Sequence, residues 1–104
     1  MDGRVIIWSK RAELSYDDIL LYYSSNTKRS KYGKKLHKKV TELTFNLLKF
    51  PELGKAVEHS DYRVFVIDNY SLYYKILESE IFIALFWDNR RSPDLFLSEL
   101  SKPV

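Results

Sequence analysis

The sequence predicts an α+β fold in the order strand, helix, helix, then a three-stranded antiparallel meander, with the helical hairpin packed on one face of a small sheet. Two observations carry this. Val64 to Ile67, Leu72 to Ile76 and Ile81 to Trp87 are runs of β-branched and aromatic residues, broken only by Asp68-Asn69 and Glu78-Ser79. Breaks that short permit hairpins but no parallel return, which needs a crossover of a dozen residues or more. Upstream, two stretches place apolar residues at spacings of three and four, the signature of amphipathic helices.

Taken in order, Arg4 to Trp8 reads as a short buried strand, although periodicity does not say where it joins the sheet. Ser9 can cap the helix that follows, and Ser15 with Asp18 offers a second possible start. From about Lys10 to Ser25, Ala12, Tyr16, Ile19, Leu20 and Tyr23 share one helical face, and Ser24-Ser25-Asn26-Thr27 breaks it. A longer helix is expected from about Arg29 to Phe50, with Tyr32, Leu36, Val40, Leu43, Leu47 and Phe50 as its stripe. Gly33 costs that helix up to about 1 kcal/mol relative to Ala. Phe50-Pro51-Glu52-Leu53-Gly54 ends it, because proline disfavours helical backbone in the residue before it. A loop from Lys55 to Asp61 leads into the meander, which closes on a polar, cationic tip, Asp88-Asn89-Arg90-Arg91.

At 104 residues the chain, 1–104, is expected to form one domain. It lacks cysteine, so there is no disulfide framework or thiolate metal site. Neither a signal peptide nor a membrane span is evident, and a cytoplasmic protein is expected. No cofactor motif and no His/Asp/Glu spacing suited to a metal is present. The net charge of +3 hides an asymmetry. Residues 1–50 hold eleven Lys/Arg against five Asp/Glu, and residues 51–104 hold six against nine. Such lopsidedness points to an anionic partner for one face.

The order of elements and four local phrases resemble the RelE/ParE family, the small toxins of type II toxin–antitoxin pairs. The opening Val5-Ile6-Ile7-Trp8-Ser9-Lys10-Arg11-Ala12 is similar to the family's first strand entering a helix. Phe50-Pro51-Glu52-Leu53-Gly54 resembles its phrase after the second helix. Tyr62-Arg63-Val64 followed by Asn69-Tyr70-Ser71-Leu72-Tyr73-Tyr74-Lys75-Ile76 resembles its central strands, and Phe86-Trp87-Asp88-Asn89-Arg90-Arg91-Ser92-Pro93 its closing strand and basic tip. The resemblance implies a RelE/ParE-like toxin neutralised by a cognate antitoxin. It implies one of two targets: DNA gyrase, poisoned without catalysis, or messenger RNA in the ribosome, cut by a metal-independent endoribonuclease. Ser71 stands where nuclease members often carry an arginine, and Asp88 where many carry a histidine, which favours the gyrase branch. A basic protein-binding module without toxicity is the third reading.

Site candidates follow from charge and chemistry. Arg63, Arg90 and Arg91 suit phosphate through arginine's planar fork, and as catalytic residues would stabilise charge developing on a cleaving phosphate. His59 is the favoured histidine for general base work if the protein is a nuclease, ahead of His37 among the lysines. Lys31, Lys34, Lys35, Lys38 and Lys39, with Lys75 and Asp88, are candidate nucleic-acid or partner contacts. Tyr70, Tyr73, Tyr74, Phe82, Phe86 and Trp87 alternate along strands, so at most half can share a face, and most are expected in the core.

Overall fold

The computed structural model describes residues 3–25 and 28–91. Strand β1 (Val5–Trp8) leads into helices α1 (Lys10–Ser24) and α2 (Ser30–Lys49), then a 3-10 turn, Pro51–Leu53. Strands β2 (Lys55–Ala56), β3 (Tyr62–Ile67), β4 (Tyr70–Ile76) and β5 (Glu80–Asp88) follow. Together they make one five-stranded sheet in the order β1-β5-β4-β3-β2. The meander is present as expected, with each strand a residue or two longer. Parts of the expected C-terminal phrases, from Ser92 onward, and Asn26-Thr27 lie outside the described residues.

Two features differ from the sequence reading. The stretch expected as a loop from Lys55 contains β2, whose Lys55 and Ala56 pair antiparallel with Val64 and Arg63. Two residues are too few to carry a period. The second is β1, expected as a buried strand: it lies at the sheet edge with Val5 and Ile7 exposed, and it pairs parallel to β5 with Val5 opposite Glu80 and Trp8 opposite Ile83. The helices and the first two strands of the meander form the crossover that a parallel pair requires.

Ser9 fixes the junction between that edge strand and the helices. Its side chain accepts a hydrogen bond from Ala12 N at 3.0 Å, capping α1, and donates to Ala84 O at 2.9 Å. Ala84 is available because β4 and β5 slip register there, with Tyr73 opposite Leu85 but Tyr74 opposite Ile83. The extra residue is left out of the ladder, as in a β-bulge. Ser15 does not start the helix; its hydroxyl sits within α1 and donates to Phe86 O at 2.8 Å.

Both helices lie on one face of the sheet. Ala12, Tyr16, Leu36, Val40, Leu43 and Leu47 pack with Leu72, Tyr74, Ile81, Ile83 and Phe86 in the core. Phe50, expected at the end of the α2 stripe, is instead 62 % exposed. The helix stops at Lys49, and Phe50 leaves the helical region, with φ of −131° and ψ of 76°. Gly33 has a packing reason, because a Cβ there would come within 3.0 Å of Tyr23 Cβ on α1. Gly54 has a stricter one, since a Cβ would lie 2.8 Å from the Tyr74 ring and 2.9 Å from Val64 O. The fully buried Tyr74 uses its hydroxyl to accept from Gly54 N at 2.8 Å and donate to Pro51 O at 2.7 Å. The Pro51-Glu52-Leu53-Gly54 phrase is therefore a socket for one tyrosine.

Among the described residues, no helix is long and apolar enough to cross a membrane. No group of three His, Cys, Asp or Glu among them could hold a metal ion.

Tyr74→Phe removes the hydroxyl that pairs the buried Gly54 N and the partly buried Pro51 O. We expect a loss of about 1–3 kcal/mol in urea denaturation. Ser9→Ala removes the cap and is expected to cost about 0.5–2 kcal/mol.

Candidate functional site

At one end of the molecule the β3–β4 turn, the end of β5 and the start of α2 converge on a cluster of tyrosines and charged groups. Asp68 occupies the tight turn with φ of 55°, in the left-handed region that Asp tolerates better than most residues. Its carboxylate accepts from Tyr32 Oη at 2.8 Å and pairs with Lys39 Nζ at 3.1 Å, so the turn is held down on α2. The Tyr23 and Tyr70 hydroxyls lie 2.8 Å apart, and Tyr23 packs edge-on against Tyr32 with ring centroids separated by 4.8 Å. Arg90 pairs with both oxygens of Asp88, at 2.9 and 3.0 Å, and reaches Tyr70 Oη at 3.3 Å. Arg29 stacks over Tyr22 at 4.7 Å from the ring centroid and bonds its hydroxyl. Tyr22, Tyr23, Arg29, Tyr70, Asp88 and Arg90, together with Asp18, border an open cleft of about 420 Å³.

The electrostatics follow from those contacts. Hydrogen bonds from Tyr32 and then Lys39 lower the pKa of Asp68, despite slight desolvation. The Arg90 side chain does the same for Asp88. Burial, followed by hydrogen bonding to Asp68, raises the pKa of Tyr32; burial, followed by the Tyr23 contact, raises that of Tyr70. Near neutral pH both phenols keep their protons, so neither is a base. The cluster holds shape and presents donors.

The sequence candidates do not meet in one place. Arg90 and Arg91 share the tip but diverge. Arg90 lies over Tyr70, on the helix side of the sheet, while Arg91 stacks over Trp87 at 4.5 Å. Trp87 pairs with Ser71, one position out of phase with the Tyr70–Asp88 pair, so it belongs to the opposite face. Arg63 sits at the far end of β3, about 13 Å along the strand from Ile67. Its guanidinium donates to Gly54 O at 2.7 Å and Glu52 O at 3.4 Å, bracing the 3-10 turn. Lys75, on the neighbouring strand, projects to the face opposite Arg63 and lies over the Tyr62 ring at 4.7 Å. His59, in the turn before β3, has an 89 % exposed side chain, with Glu58 3.6 Å away. Ser71 is buried and donates to Asn89 Oδ1 at 2.9 Å, so it ties the tip to β4. His37 Nδ1 lies 2.8 Å from Tyr16 Oη, a contact between the two helices.

On α2, Lys39 is engaged by Asp68, while Lys31, Lys34, Lys35 and Lys38 are exposed and reach no carboxylate among the described residues. Sequence reasoning missed the tyrosine hydroxyls. Tyr23, Tyr32 and Tyr70 carry apolar periodicity, and nothing in that pattern says that three phenolic oxygens end up within one cluster.

Comparison with known proteins now bears on this geometry. A model of the family described as the ParE toxin of type II toxin–antitoxin systems, parDE, matches residues 6–93. The chain belongs to the ParE toxin family. A solved chain from the chromosomal ParDE toxin–antitoxin system of P. aeruginosa superposes with a TM-score of 0.65 at 17 % sequence identity, covering 81 % of this chain and 94 % of that one. At that identity the likeness speaks for the fold. No curated protein matches. As a ParE-family toxin, the chain is the growth-inhibiting half of a toxin–antitoxin module, and a cognate antitoxin is its partner. Within this ParE frame the tyrosine–arginine end is an ordered, charged rim built from both helices and the sheet.

Asp68→Asn keeps the left-handed turn but removes the charge. The folded pKa of Asp68 lies below its unfolded value of about 3.9. Its stabilising contribution is therefore whole above that value and is lost as pH falls through the folded pKa. The wild-type protein should be more stable than the variant at pH 6, by urea midpoint, with the gap closing below about pH 4. A gap independent of pH would contradict the Tyr32–Asp68–Lys39 contact.

Proposed function

We propose that this toxin acts in the cytoplasm as a non-enzymatic poison of DNA gyrase, the whole of residues 1–104 serving as one toxin domain. The observation that carries the reading is the separation of the candidate catalytic groups. Metal-independent cleavage of RNA needs a base and a phosphate-binding cation within reach of one scissile bond. Here His59 and Arg63 stand at one end of β3, and Arg90 and Arg91 at the other. Arg63 is spent on backbone carbonyls, and the tyrosines nearest Arg90 hold their protons. What the rim offers is binding: Arg90, held by both oxygens of Asp88, and Arg91, stacked on Trp87, place cations on two faces of one tip, and Lys39 is fixed close by. That suits a surface that grips a macromolecule.

The test uses purified chain, purified gyrase and relaxed plasmid. The expected result is inhibited supercoiling together with gyrase-dependent DNA breaks. Arg90→Ala combined with Arg91→Ala should weaken potency at least about tenfold, equivalent to about 1.4 kcal/mol of binding. Unimpaired gyrase, together with cut messages in a translating extract, would replace this reading with ribosome-dependent endoribonuclease activity. Normal growth on expression of the chain without its antitoxin would point to a module devoid of toxicity.

A further inference from the structure

Helix α2 carries a charged surface that neither the fold nor the tip uses. Lys31, Lys34, Lys35 and Lys38 are exposed, and none makes a hydrogen bond or ion pair among the described residues. At 3.6 residues per turn they fall within about a third of the helix circumference, opposite the buried Leu36, Val40, Leu43 and Leu47. Glu42 is the first carboxylate on that side. Asp68 touches only the margin, binding Lys39 and lying in the field of Lys35. The row spans about 10 Å of helix, from Lys31 to Lys38.

A second, independent observation is that the row opposes the helix it sits on. The first turn of α2 has no acidic residue, and Arg29, at the capping position, makes no side-chain cap. The positive end of a helix disfavours cations, and lysines at i and i+4 repel. Lys31 with Lys35, Lys34 with Lys38, and Lys35 with Lys39 are such pairs. Solubility alone would be met by mixed charge. A concentrated single-sign row on a rigid helix is the arrangement that gains most from a dense anion lattice, and duplex DNA presents about one negative charge per 1.7 Å of axis.

We infer that the Lys31–Lys38 face of α2 binds the phosphate backbone of duplex DNA, without sequence preference. The inference deepens the gyrase reading, on which its biological setting rests: the toxin would hold the DNA segment that gyrase is handling while the tip engages the enzyme.

The experiment measures binding of the free full-length toxin to a fluorescent duplex of arbitrary sequence by anisotropy, across a salt series and without gyrase. Binding should weaken steeply with salt. In the triple variant Lys31→Gln, Lys35→Gln, Lys38→Gln, the slope of log K against log salt should become shallower by about two to three, the value for three phosphates that the variant leaves unneutralised. Circular dichroism should show the variant folded, since none of the three lysines packs in the core. An unchanged slope would overturn the inference. So would tighter, equally lysine-dependent binding of a duplex RNA of the same length, which would assign the face to RNA. Poly-glutamate displacing the duplex at equal charge concentration would overturn it in favour of an acidic polypeptide. Because gyrase is absent, DNA binding by a chain that leaves gyrase unaffected would sink the target reading alone, and gyrase poisoning without DNA binding would sink this inference alone.

Discussion

The structure depends on the burial of one helical stripe. Leu36 and Leu47 are fully buried, and Val40 and Leu43 nearly so, between α1 and the sheet. Complete burial of each such side chain is worth about 1.5–3 kcal/mol, as an upper estimate. Against this stand the unfavourable dipole and like-charge terms on the outer side of α2, each about 0.2–1 kcal/mol at low salt. Burial wins by magnitude. The helix can therefore tolerate an outer face that no isolated helix would choose, and the tolerance is what lets it present a row of lysines.

The same helix organises the rest. Because α2 is seated on the sheet, Tyr32 and Lys39 are in place to hold Asp68, which pins the β3–β4 turn. The turn in turn receives Asn89 N at Asn69 O, 2.8 Å away, so the tip beyond β5 is anchored by backbone. The Tyr23–Tyr70 contact adds α1 to the same end. A charged rim built this way keeps its geometry before any partner arrives, and preorganisation of that kind lowers the entropic cost of binding. The ion pairs themselves contribute little affinity or stability where they are exposed; their role is orientation.

Much of the architecture was legible because the signals were local. Runs of β-branched and aromatic residues at 64–67, 72–76 and 81–87, and period three to four in the helices, depend only on neighbours in sequence. Ser9 as a cap was legible for the same reason. What escaped depends on long-range pairing. Nothing in Val5-Ile6-Ile7-Trp8 says that its partner is β5, seventy-odd residues away, and Lys55-Ala56 is too short for any pattern. The candidate site was only partly legible. Arg90 and Arg91 did lie at an ordered tip, yet their divergence follows from strand alternation across the Tyr70–Asp88 and Ser71–Trp87 pairs, a matter of register. Arg63 looked like a phosphate ligand because a guanidinium suits carbonyl oxygens as well as phosphate, and residue type alone does not choose between them.

The most direct test of the central claim is the salt dependence of stability. Thermal midpoints of the wild-type chain and the Lys31→Gln, Lys35→Gln, Lys38→Gln variant should be compared at about 10 mM and about 1 M salt, where the screening length falls from about 30 to about 3 Å. If the α2 lysines are a cost that core burial overrides, the variant melts higher than wild type at low salt and the two converge at high salt. A variant that melts lower than wild type at low salt would show that those lysines make stabilising contacts, and would contradict the claim that burial carries them.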